Sequence, residues 1–485
     1  MNYRKVLLGI FFLALMCLLG AGTLCAQDEP QQPQEPWDNG PPKPAGQSTP
    51  VPFFDFGGLI GNRGDLQPDY TPLTGMLNAG LGFPEIKHSY WVPGIQFSST
   101  VQSNSYNSSS TSGWYGNNYV AGNLSLLEAW SRSQLALNYS GGGYFSTNSA
   151  QGNNWYQQLA FAQSFQLNRW LIQIFDQFSY LPQSAFGFGV GTNLGAPGVG
   201  GALGPTIPGL GSNYNPNQTI FTGVGPSYSN AAVVQATYQL SRRSSITASG
   251  SYGILNYVNP GNIDTNSVFG SLGYNYQISH KDTIGLFYQF SSYHFVGNPQ
   301  AYGSQVVSAA YSRKITGRLA LSLYAGPQFT SLRIPVGTTS STVRGYASAF
   351  LNYGFEKGAI SGSYLHGLSG GSGVLTGSVL DQVYFSAGRQ ISRIWSASAN
   401  VGYAHNRTVI NSALAASNPS YNNWFAGGGI GRPFGRNINF SIGYSANFGN
   451  YNPGCSGPGC GSSPTATYQI VNVNVQWHTR PFVLP

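Results

Sequence analysis

The segment SVFGSLGYNYQIS (267–279) alternates nearly without a break. Val268, Gly270, Leu272, Tyr274, Tyr276 and Ile278 fall on one side, and Ser271, Gly273, Asn275, Gln277 and Ser279 on the other, with Phe269 the one exception. A period of two marks a β-strand with two unlike faces. In NINFSIGYSANF (437–448), Ile438, Phe440, Ile442, Tyr444, Ala446 and Phe448 oppose Asn437, Asn439, Ser441, Gly443, Ser445 and Asn447. The alternation fills residues 88–478 and predicts about eighteen strands, from 89–102 to 465–478, the sixth at 218–240. Short turns such as WSRSQ (130–134), LNRW (167–170), ISHKDT (278–283) and FEKG (355–358) alternate with longer loops rich in Asn, Gly, Ser and Pro. An even strand count returns both ends of the region to the short-turn side.

Composition decides what the two faces meet. Only 7% of residues are charged, against roughly 25% in soluble domains. Mean hydropathy is nonetheless −0.14, because Ser, Asn, Gln, Thr and Tyr supply the polarity. A water-facing surface of this size calls for more charge. Apolar faces in lipid and polar faces around a lumen fit better, and hydrocarbon tolerates no open sheet edge. The fold class is therefore all-β: a closed antiparallel transmembrane β-barrel of about 18 strands, an up-and-down meander preceded by a disordered N-terminal linker. Trp91, Trp130, Trp170, Trp395 and Trp477 fall beside short turns, and Trp114, Trp155 and Trp424 beside long loops. This is the placement expected of two interfacial girdles. Of 17 bases in 88–485, only Arg333, Arg344 and Arg407 lie on the long-loop side.

Ahead of the barrel, Arg4 and Lys5 precede an apolar run from Val6 to Leu19, and the whole reads as a signal peptide (1–26) cut after Ala26. Residues 27–52 are a Pro/Gln-rich linker. Residues 53–87 are Gly-rich, either periplasmic or plug-like, and their RGD triplet (63–65) is a chance match. Residues 479–485 form a C-terminal tail. Cys455 and Cys460, spaced across a Gly/Pro turn in an exported chain, read as a disulfide.

Strand length, alternation, girdles and turn rhythm over 88–478 resemble the porin-type outer-membrane β-barrel proteins of Gram-negative bacteria. The last strand, YQIVNVNVQWH (468–478), looks like the terminal strand read by the outer-membrane assembly machinery, although TRPFVLP follows it. The resemblance implies the bacterial outer membrane, both termini in the periplasm, and lipids and that machinery as partners. It also implies passive diffusion of small polar solutes.

The residues offer little chemistry. GFGVGTNLG (187–195) lacks the Lys and helix of a phosphate cradle. No metal, cofactor, nucleic-acid or catalytic residue is assigned. His366 and Asp381 flank loop 369–377 and can pair, but alternation puts both on the outer face, and His294 and His405 follow apolar faces likewise. Of six acids in 88–485, Asp176 is the one best placed to reach the lumen. The lumen otherwise offers Asn, Gln, Ser, Thr and Tyr, which suits small, mostly uncharged solutes. Residues 181–217, with ten Gly and five Pro, carry no charge and read as a lumen constriction, or as a loop hiding an extra hairpin. The alternatives are a structural or adhesive barrel with a blocked lumen and, less supported, an outer-membrane hydrolase. Homo-oligomerisation is left open.

Overall fold

The structure is a computed structural model. It describes residues 89–484, apart from 436 and parts of the long connections: 107–112, 148–152, most of 182–225, 259–261, 298–300, 334–338, 371–376, 410–418 and 453–464. The signal sequence, the linker, the RGD triplet and the cysteine pair lie outside the described residues.

Eighteen long strands form one closed antiparallel ring. They are β1 (Tyr90–Tyr106), β2 (Gly113–Ala129), β3 (Ser133–Ser146), β4 (Asn154–Leu167), β5 (Trp170–Leu181), β6 (Ser227–Ser241), β7 (Ser244–Tyr257), β8 (Thr265–Gln277) and β9 (Asp282–Phe295). The other half comprises β10 (Ala301–Lys314), β11 (Leu319–Arg333), β12 (Thr339–Phe355), β13 (Gly358–Ser369), β14 (Ser378–Gln390), β15 (Ser396–Thr408), β16 (Ser420–Phe434), β17 (Ile438–Asn452) and β18 (Thr465–His478). Each strand pairs with its sequence neighbours, and β18 closes on β1 with Phe97 opposite Val475. The expected meander and strand number are thus observed. The sixth strand begins at Ser227 instead of residue 218, and no described residue of 182–226 adds a strand to the ring.

Turn chemistry fixes one rim. Between β4 and β5 the two-residue turn places Asn168 at φ 38°, a conformation that Asn tolerates well. Three longer turns share one design. Ser279, Thr316 and Ser392 each follow an Ile, and each hydroxyl accepts backbone N–H groups two and three residues on, at 3.0–3.4 Å. The Ile N–H of each turn closes it on the carbonyl of Asp282, Leu319 or Trp395. This repeated I-[ST] turn lies in the sequence and escapes alternation analysis. On the same rim the tail bends back to β1: Phe482 and Val483 pair with Trp91 and Tyr90, and the Phe482 ring stacks on Trp91 at 4.9 Å.

The wall is continuous except at one seam. β12 and β13 pair from Phe355–Gly358 up to Ala347–His366, and above that each pairs only with its other neighbour. Arg344 spans the seam and donates to the Val409 carbonyl (3.3 Å). Above it, Val379 and Val409 pack with Tyr293, Phe295, Tyr302 and Leu332.

Candidate functional site

The barrel is apolar outside and polar inside, the reverse of a soluble protein. On β1, Ile95, Phe97 and Val101 are 46–56% exposed, whereas Gln96, Ser98, Thr100 and Gln102 are 0–1% exposed. The same phase holds on β8, where Val268, Leu272 and Tyr274 face out and Thr265, Ser267 and Asn275 face in. Of the eight tryptophans expected in the girdles, Trp114, Trp155 and Trp424 are exposed toward the long loops, and Trp91, Trp130, Trp170 and Trp477 toward the short turns.

Neutral side chains are tied together across the inner wall. Gln96 Nε2 donates to Asn474 Oδ1 (2.9 Å), Gln328 Nε2 to Ser304 Oγ (2.8 Å), and the Tyr144 hydroxyl to Asn117 Oδ1 (2.9 Å). Ser378 shares a bond with Ser369 (2.7 Å) and donates to Asn406 Oδ1 (3.0 Å). Such cross-strand amide and hydroxyl pairs hold side chains in register without charge.

Aromatic groups interrupt this polar lining in several places. Tyr119 packs against Tyr144 and Tyr156, at ring distances of 5.0 and 5.8 Å. On the other half, Tyr324 meets Phe287 at 5.9 Å and Phe350 at 6.3 Å, both edge-on. Phe269, the exception to its strand's alternation, faces in and meets Tyr293 edge-on at 5.5 Å. The sequence had shown tyrosines inside but not these phenylalanines. Phe269 was the visible sign, an aromatic out of phase.

Charge is nearly absent from the inner wall. Among the charged side chains on described strands, alternation turns only Lys314 and Arg344 inward, at opposite ends. Asp176 does not reach the lumen. Its neighbours Phe175 (1% exposed) and Gln173 face inward, so Asp176 projects outward with Trp170, Ile172 and Phe178. There it accepts a hydrogen bond from Asn230 Nδ2 (2.8 Å).

His366 and Asp381 pair as expected, Nδ1 to Oδ1 at 2.6 Å, on the outer face near the long loops. Arg407 lies 3.6 Å from the other carboxylate oxygen. Beside them, Asn422 Oδ1 faces His405 Nδ1 at 2.6 Å and accepts from the Tyr403 hydroxyl at 3.0 Å. These rows join adjacent strands at one level, where ionic and amide pairs suit an interface. Among the described residues no three His, Cys, Asp or Glu come together as a metal-binding group.

Two fragments of the long connection lie far from its anchors. Gly187–Phe188, paired with Ile220–Phe221, sits beside β16, and Val199–Gly201 sits beside β17. The connection leaves β5 and returns at β6, and β16 is seven strands from β5 by the shorter way round the ring. These fragments therefore lie on the side of the ring away from the connection's anchors.

No family model and no curated protein matches the chain. Among solved structures it is similar to OccAB3 of Acinetobacter baumannii, with 9% identity over 80% of this chain and 99% of that one and a TM-score of 0.41. It is also similar to Pseudomonas aeruginosa OccK2 (OpdF) in complex with glucuronate, with 10% identity, 81% and 98% coverage and a TM-score of 0.41. A third is Pseudomonas aeruginosa OpdK with vanillate, with 9% identity, 80% and 99% coverage and a TM-score of 0.41. At such identity and TM-score the likeness carries no argument about solutes; the closed antiparallel barrel stands on this chain's own strand pairing.

Proposed function

We propose that the chain is a porin-like channel of the bacterial outer membrane, passing small, polar, mostly uncharged solutes by passive diffusion. One observation carries the reading: a ring of eighteen strands is apolar on its outer face and lined inside by neutral amides and hydroxyls. Barrels of about 16–18 strands enclose an aqueous path. Among the charged side chains on described strands only Lys314 and Arg344 face in, so the wall has little to select or repel ions.

The connection at 181–217 is the constriction in this reading. Its fragments beside β16 and β17 support an inward course, and its lack of charge suits a neutral lumen better than open water. The short-turn rim and both termini face the periplasm, after removal of residues 1–26. β18 presents the assembly signal, and Cys455 and Cys460 form a disulfide in an external loop. A tag inserted near Asn411 is labelled on intact cells, whereas one near Lys281 is not; the reverse pattern ends this topology.

Single-channel recording of the refolded full chain tests the channel. Discrete steps are expected, and they grow when residues 185–213 are replaced by a short Gly/Ser linker. Steps unchanged by that replacement in a folded variant remove the loop from the pore. Absence of steps in both proteins leaves a closed barrel with a blocked lumen.

A further inference from the structure

Asp176 stands on the outer face, between the Trp170 girdle and Tyr180. For a tilted strand rising about 3.3 Å per residue it lies about 15 Å above Trp170, deep in an apolar band about 25 Å tall. The phase is secure from both strands. Trp170 packs against Tyr238 at 4.7 Å on the outside, and Ser179 bonds Ser229 at 2.8 Å on the inside. Asp176 and Asn230 therefore share the outer face.

We propose that Asp176 and Asn230 form the centre of a contact between two copies of this chain, side by side in the membrane through β4, β5 and β6. The proposal rests on the reading of the outer face as lipid-facing. An acid at this depth is costly against acyl chains and marks contact with something else. The other outer-face acids lie toward the rims: Glu128 is one residue from the end of β2, Asp282 has Arg313 (3.7 Å) at the short-turn rim, and Asp381 has His366 and Arg407 near the long loops. Among the described ion pairs none includes Asp176.

The surroundings favour a copy of the same chain. Ala232 is the direct cross-strand neighbour of Asp176, Ala236 faces Ala248, and Val234 faces Gly250. These small residues leave gaps beside Tyr252, which faces Ala232, and Ile172, which faces Ala236, and bulky groups of a second copy can enter them, as small residues allow elsewhere in membranes. A second copy rotated about the membrane normal keeps every group at its own depth. Each carboxyl then meets the other copy's Asn230 amide, a reciprocal contact of the kind a two-fold interface makes.

Cysteine cross-linking in native membranes tests it, using the full chain with Cys455→Ser and Cys460→Ser. Ala232→Cys is expected to give an oxidised species of twice the monomer mass, and Ala349→Cys, on the far outer wall, is not. Adding Asp176→Leu to Ala232→Cys should cut the cross-linked fraction by about tenfold, with Asp176→Asn keeping more of it. Heat-modifiable migration shows whether each variant is folded, and Asn230→Leu replaces Asp176→Leu if the latter fails to assemble. No cross-link at residue 232, equal cross-linking at 232 and 349, or a fraction unmoved by Asp176→Leu or its replacement overturns the contact. Conductance of the same proteins separates the two readings: steps without cross-linking sink the contact and leave the channel.

Discussion

On β8, Leu272 is 56% exposed while its neighbour Ser271 turns inward and shares a hydrogen bond with Ser249. One strand thus serves two solvents. Outside, through the middle of the strands, most side chains need only be apolar, because acyl chains fill between them. Inside, side chains touch: serines pair, amides cross strands, and rings pack edge to face. The outer wall is defined by composition and the inner wall by fit.

That difference orders the effects of substitution. The largest is expected inside, at Gly326 on β11, where an added Cβ would sit 1.9 Å from the Val307 carbonyl oxygen. Gly326→Val should leave almost no heat-modifiable, folded protein in membranes. At Gly250 on the outer face the nearest atom is 3.9 Å away, and Gly250→Val should assemble normally. Equal assembly of the two would erase the contrast.

Next comes the Tyr119 cluster. Tyr119 is 1% exposed, and Tyr119→Ala should cost about 3–5 kcal/mol in denaturant unfolding. Tyr119→Phe should be close to neutral, because its buried hydroxyl has no described partner. A large loss in the Phe variant would show a hydroxyl contact that the packing account omits.

A charge sharpens the outer face. Leu272→Arg, near mid-strand, should cost about 2–4 kcal/mol, while Ser271→Arg one position away should cost far less and shift the channel toward anions. Similar losses at both positions would mean that the two faces do not meet different media. The smallest effect belongs to the cysteine pair. Intact mass with and without reduction and alkylation should show no free thiol in the native protein, and Cys455→Ser should barely change unfolding.

The barrel was legible in the sequence because hydrocarbon enforces contrast between faces. β18 falls where alternation puts it, at 465–478. Legibility fades where both faces leave the membrane. β1 continues to Tyr106, past the expected end at 102. There Ser and Asn fill both sides, and the period of two carries no polarity signal. Asp176 was misplaced for a related reason. Its charge suggested the lumen, but strand phase, set by Phe175 and Trp170, decides direction. The pairing of His366 with Asp381 was readable because it needed only register across one hairpin. The aromatic clusters were not, since Tyr119, Tyr144 and Tyr156 come from three strands and meet only once the wall curves.

On the reading proposed above, the inner face forms a neutral path for small polar solutes. Liposome swelling with the refolded full chain measures it directly, using size-matched neutral, anionic and cationic solutes. Swelling is expected with all three, fastest for the neutral one, and faster still after replacement of residues 185–213. No swelling with any solute, or entry of one charged solute alone, would contradict it.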